Sequence, residues 1–264
     1  MTVLRHHILA AVCLLPILVS PLIADNPRQD RPCVVLLHGL LRTSRSMDWI
    51  GLDLRRKGYR VIAPDYATTR HTVQEHAEWL RSFIDELPCD SVFLVTHSLA
   101  SLIAREYLST HQPAKVKKLV MITPPNHGAE KADRYRGFFL YHWVFGKVAY
   151  QVTSDSVSGT QQLGIPHCPF AILAGGKSKE GYAKDIPGND DGVLSVEKTY
   201  LEGTQDFLVI KASHNGILRK KETSDNIISF LLHGRFLNQS PPPNSPHLNT
   251  KRKSAGTDPS SSQH

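Results

Sequence analysis

Cysteine is scarce in this chain, and its placement excludes several classes of protein. Four cysteines stand among 264 residues, at positions 13, 33, 89 and 168. None has a second cysteine or a histidine at metal-ligand spacing and the histidines are scattered, so neither a metal nor any other cofactor is expected. A scaffold built from disulfides is excluded by the same count. Long apolar runs are missing too. The longest covers residues 8–23, contains Pro16 and Pro21, and falls short of the roughly 20 residues that a membrane-spanning helix needs. No single sign of charge dominates. The net charge is +7, and setting aside Arg5 and residues 237–264 leaves about +4 for the body of the chain. That surface suits contact with anionic lipid but is too weakly basic to argue for nucleic acid as a partner.

What is present begins with Arg5, His6 and His7, then the apolar run, then Ala24 before polar sequence. A basic start, a short apolar stretch and a small residue describe a signal peptide over residues 1–24, and hence a secreted or periplasmic protein. An uncleaved membrane anchor is the alternative, because Leu22 is bulky for the third position before a cut. Removal of Cys13 leaves three cysteines. One bridge among them is open in an oxidising compartment, but Cys33 opens an apolar run and Cys89 sits just before another, so buried free thiols are the plainer reading. At the other end, residues 237–264 are rich in Pro and Ser and lack apolar periodicity. Such a tail cannot offset its ordering entropy and is expected to be disordered.

Between these ends, residues 25–236 alternate between two patterns. Short apolar runs at 33–37, 59–63, 92–97, 118–122, 170–174 and 207–210 read as buried strands, and amphipathic stretches at 44–57, 71–87, 99–110 and 219–232 read as helices. Such alternation predicts one α/β domain, a mostly parallel sheet with helices on both faces. The first strand follows the N-terminal segment so closely that no leading antiparallel hairpin is expected.

The chemistry gathers where strands end. Val92 to His97 runs into a helix with Ser98 at the junction, a turn that holds a serine hydroxyl exposed above a sheet. Thr96 and Ala100 occupy positions where glycine is usual, and an ordinary helix N-cap is the bland alternative. The first strand ends in His38-Gly39-Leu40, a turn that could offer the Leu40 N–H, with that of Leu99, to an oxyanion. His38 is expected to shape that loop rather than act as a base. Asp190 and Asp191 lie in a turn between two apolar runs read as strands, and His214 follows the last strand. Asp191 is preferred as the acid because Gly192 frees the backbone beside it, with Asp190 as its rival. A serine is a weak nucleophile at neutral pH, so it needs a histidine to take its proton and an acid to orient that histidine.

These residues resemble the small secreted bacterial lipases and serine esterases of the α/β-hydrolase superfamily. The resemblance rests on Leu36 to Leu40, Val95 to Leu99, Thr123 to Gly128, Gln162 to Gly164, Asp191 to Glu197, and Ser213-His214, in the chain order serine, acid, histidine. It implies an α/β-hydrolase fold in which Ser98 is the nucleophile, Asp191 the acid and His214 the base. Leu40 and Leu99 would give the oxyanion N–H groups. It also implies a short cap over the serine at about residues 129–165. There Phe138, Phe139 and Trp143 either touch an acyl chain or a membrane surface, or simply pack the cap onto the core. The expected activity is hydrolysis of carboxylic esters or acylglycerols. Acyl transfer or thioester hydrolysis by the same residues is the alternative, and a binding module with a relict triad is the second.

Overall fold

The computed structural model describes residues 32–138, 145–154, 159–241 and 243. The expected signal peptide, Phe139, Trp143 and nearly all of the expected tail lie outside the described residues. The chain divides into two units, Met1–Asp30 and Arg31–His264, and the described residues all fall in the second.

Six strands form one sheet, all parallel. They are β1 (Cys33–Leu37), β2 (Arg60–Ile62), β3 (Val92–His97), β4 (Val116–Ile122), β5 (Phe170–Gly176) and β6 (Asp206–Lys211), in the order β2-β1-β3-β4-β5-β6. The inner strands are apolar over most of their length because both faces of the sheet are covered, with Lys117 and Lys118 of β4 the main exception. Val35, Leu37, Leu94 and Met121 point to one face, beneath α2 (Val73–Asp85) and α3 (Leu99–His111). Their neighbours Val34, Leu36, Val95 and Ile122 point to the other, beneath α1 (Asp48–Arg56) and the last helix, Lys221–His233. The period of two along each strand therefore fills two separate cores.

Side chains close the ends of these elements. Thr72 accepts from the Glu75 backbone while the Glu75 carboxylate accepts from Thr72, a capping box that starts α2. At the far end of α2, Lys115 donates to the carbonyls of Ile84 and Leu87. Lys118 does the same for Phe230 and Leu231 of the last helix, where cations meet orphan carbonyls and the negative end of the helix dipole.

Two expectations need correction. Cys33 and Cys89 form a disulfide rather than remaining thiols, joining the first residue of β1 to the turn before β3, while Cys168 is free and buried. The run after Asp191 is not a strand. Val193 and Leu194 lie in a bend that leads through Ser195 into a short helix, Val196–Thr199. Two further short helical segments complete the labels: α4 is Glu130–Tyr135, α5 is Val196–Thr199, and the last helix is α6.

Candidate active site

The connection from β1 leads outward to β2, whereas that from β3 leads the other way to β4. A crevice opens at the strand ends where connections diverge in this manner. Leu40, just past β1, and Ser98, just past β3, stand on its two sides.

Ser98 joins β3 to α3 with φ 54° and ψ −122°, a conformation that side chains rarely adopt. Its amide donates to Ile122 at 2.9 Å, and its carbonyl accepts from Ser101 at 2.9 Å. The missing glycines have a physical replacement. Thr96 and Ser101 share a hydrogen bond of 2.9 Å between their hydroxyls, which ties strand to helix, and Ala100 is fully buried between them and the core. On the opposite wall Gly39 has no freedom to carry a side chain. A Cβ there would lie 2.8 Å from His97 Nδ1 and 3.2 Å from the Ser98 Cβ.

His214 comes from the loop after β6 and sits with Nε2 2.9 Å from Ser98 Oγ. Its Nδ1 lies 2.7 Å from Asp191 Oδ2, so the ring donates to the carboxylate from one side and can accept from the serine on the other. The backbones are tied as well: His214 N donates to the Asp191 carbonyl at 2.8 Å. Asp191 uses its second oxygen to accept the amides of Val193 (2.9 Å) and Leu194 (3.0 Å), which fixes the carboxylate plane. Asp190 faces away. Its carboxylate accepts from Tyr182, Ala183 and Gly192 and holds the preceding loop together.

The amides of Leu40 and Leu99 find no acceptor among the described residues, and Leu99, at the first position of its helix, has none within the helix. Beside Ser98 lies an apolar pocket of about 130 Å³, walled by Leu40, Leu99, Ala132, Tyr135, Phe145 and Val152. Among the described residues the aromatic part of that wall is Tyr135 and Phe145. Phe138 is instead 62% exposed, with its ring 6.1 Å from that of Tyr135.

His38 is buried, its Nδ1 3.0 Å from the Gly39 carbonyl, and its ring stacks on Tyr66 at 4.4 Å. Burial lowers its pKa. Three residues went unremarked in the sequence. Tyr66 donates to the His38 carbonyl at 2.5 Å and so braces the turn that carries Leu40. His97 is buried against His214. Arg105, in the middle of α3, donates to the carbonyls of Asn126, Leu163 and Gly164, and burial lowers its pKa to about 10. A cation among the buried apolar residues of α3 was the available signal for Arg105. Among the described residues, no group of three or more His, Cys, Asp or Glu could hold a metal ion, and no helix is long and apolar enough to cross a membrane.

Residues 32–158 match the family model of the alpha/beta hydrolase fold. No curated protein sequence matches the chain. Among solved structures it is similar to the mature Bacillus licheniformis lipase BlEst2, at 18% identity and TM-score 0.60, covering 78% of this chain and 93% of that one. It is similar to the metagenomic carboxyl esterase MGS0156 at 20% identity and TM-score 0.57, over 70% and 65% of the two chains. The Legionella pneumophila phospholipase PlaB matches at 19% identity and TM-score 0.57, covering 76% of this chain and 58% of PlaB. At such identities the likeness to each structure is one of fold. With its six parallel strands and a family model matched over residues 32–158, the chain has the α/β-hydrolase fold.

Proposed function

We propose that the protein is a serine carboxylic-ester hydrolase that acts on acyl esters or acylglycerols through an acyl-enzyme. The observation that carries this reading is the unbroken line from Ser98 Oγ to His214 to Asp191, set beside an apolar pocket. His214 Nε2 takes the Ser98 proton as Oγ attacks the ester carbonyl. The oxyanion that forms is held by the N–H groups of Leu40 and Leu99, which have no acceptor among the described residues. Collapse breaks the bond to the alcohol, which leaves with the proton from His214. Water then attacks the acyl-enzyme, giving its proton to His214, and the acid departs as Ser98 regains its hydrogen. Asp191 keeps the imidazole in the required tautomer and stabilises its protonated form.

Export through residues 1–24 is part of the proposal. The Cys33–Cys89 disulfide supports it, since such bonds persist in oxidising compartments. Contact with a lipid surface is supported by the exposed rings of Tyr135 and Phe138 near the basic Arg134 and Arg136. The test is an activity profile of the purified protein against p-nitrophenyl esters and triacylglycerols of graded chain length, with Ser98→Ala as the blank. Hydrolysis of one or more of these substrates, absent in Ser98→Ala, is expected. Equal rates in the two proteins would overturn the reading.

A further inference from the structure

The residue before the serine takes no part in the line from Ser98 to Asp191, yet it touches three pieces of the site. His97 closes β3 and is fully buried. Its Nε2 lies 3.0 Å from the backbone carbonyl of His214, 117 residues away in sequence. A carbonyl oxygen only accepts, so the His97 proton is on Nε2, and Nδ1 is left as a lone pair with no partner. Burial holds the ring far below the ordinary histidine value, to about 3, so Nδ1 takes up no proton near neutral pH. The Nδ1 side of the ring abuts Gly39, where a Cβ would lie 2.8 Å from Nδ1 and 3.3 Å from Cε1. One rigid ring thus separates and joins the base loop, the serine's strand and the turn that presents Leu40.

We infer that His97 is a positioning residue, its N–H fixing the His214 loop and its ring fixing the Gly39-Leu40 turn relative to Ser98. The inference rests on the reading of Ser98, Asp191 and His214 as the triad. None of the pocket's apolar wall comes from His97, so its loss is felt in the chemical step rather than in substrate binding.

Glutamine and asparagine separate the hydrogen bond from mere bulk. The glutamine side-chain nitrogen stands as many bonds from Cβ as His97 Nε2 does, and the asparagine nitrogen stands one bond closer, where Nδ1 is. Steady-state ester hydrolysis and thermal melts are measured on the full chain for His97→Gln, His97→Asn, His97→Leu and Ser98→Ala. His97→Gln is expected to keep kcat within about threefold, while His97→Asn and His97→Leu lose on the order of 10- to 100-fold with KM nearly unchanged, the scale of a slightly misplaced catalytic group. If His97→Leu fails to fold, the glutamine and asparagine variants decide between themselves. Equal kcat in those two, an undiminished kcat in His97→Leu, or losses that follow melting temperature across the series would overturn the inference. An active Ser98→Ala protein would overturn the triad itself, a result readily told apart from these.

Discussion

Ser98 holds a backbone conformation that costs on the order of 1–3 kcal/mol wherever a non-glycine residue adopts it. That cost is offset by hydrogen bonds on both sides of the residue, and its result is an Oγ aimed at His214 rather than at its own helix. Two adjacent acids divide the remaining work by direction. Asp191→Asn should lower kcat by about 100-fold or more, because an amide no longer enforces the imidazole tautomer. Asp190→Asn should leave kcat within a few-fold but reduce stability by about 1–3 kcal/mol, since three amides lose a charged acceptor. Kinetics and urea melts on both variants check the pair, and the reverse ranking of kcat would move the acid to Asp190. Burial has a pH signature as well. His97 and His76 have folded pKa values of about 3 and 4, below the unfolded value of 6.5. The unfolded chain therefore binds more protons between those values, so stability is full above about pH 6.5 and declines as pH falls toward 4 and then 3. Urea midpoints that stay level from pH 7 to pH 4 would contradict this.

Helices and strands differ in how openly the sequence declares them. α2 announces itself through an amphipathic face and the Thr72-x-x-Glu75 box, and Thr72→Ala should cost about 1 kcal/mol, read as a lower melting temperature with unchanged kcat. The five strands that flank or bear the site follow from apolar runs whose two faces are both buried, which is why periodicity located them to within a few residues. The acid loop was harder. Val193 and Leu194 look like the start of a strand, but their amides are taken by the Asp191 carboxylate instead of by a neighbouring strand, an arrangement that exists only after distant residues fold together. Elbow packing through the Thr96 and Ser101 hydroxyls was hidden for a similar reason: both residue types are common, and their meeting depends on the turn at Ser98. Arg105 binds elements that the sequence leaves unconnected. Arg105→Leu should strand the carbonyls of Asn126, Leu163 and Gly164 and lower stability by about 1–3 kcal/mol or more, the desolvation cost of buried acceptors left unpaired. A melting temperature equal to that of the unaltered protein would count against that role.

Across the whole molecule, Ser98 and His214 were legible because each lies just past an apolar run and parallel strands bring such ends to one edge, whereas Asp191 stands in the long loop after β5 and was picked out by the turn at Gly192. The disulfide was not, since nothing in the spacing of Cys33 and Cys89 reveals that β1 and β3 pair side by side. It closes a loop of 56 residues, for which the chain-entropy relation gives up to about 4 kcal/mol. Reductant should accordingly lower the melting temperature of the unaltered protein and have no such effect on Cys33→Ala/Cys89→Ala. Fold, pocket and the proposed oxyanion donors all point to the hydroxyl of Ser98, so the most direct measurement is covalent capture of that oxygen. The purified protein is treated with a fluorophosphonate and the adduct located by peptide mass spectrometry. One label per chain, on Ser98, with parallel loss of ester hydrolysis and no labelling of Ser98→Ala, is the predicted result. A label on another residue, or an unlabelled chain that still hydrolyses esters, would contradict the account.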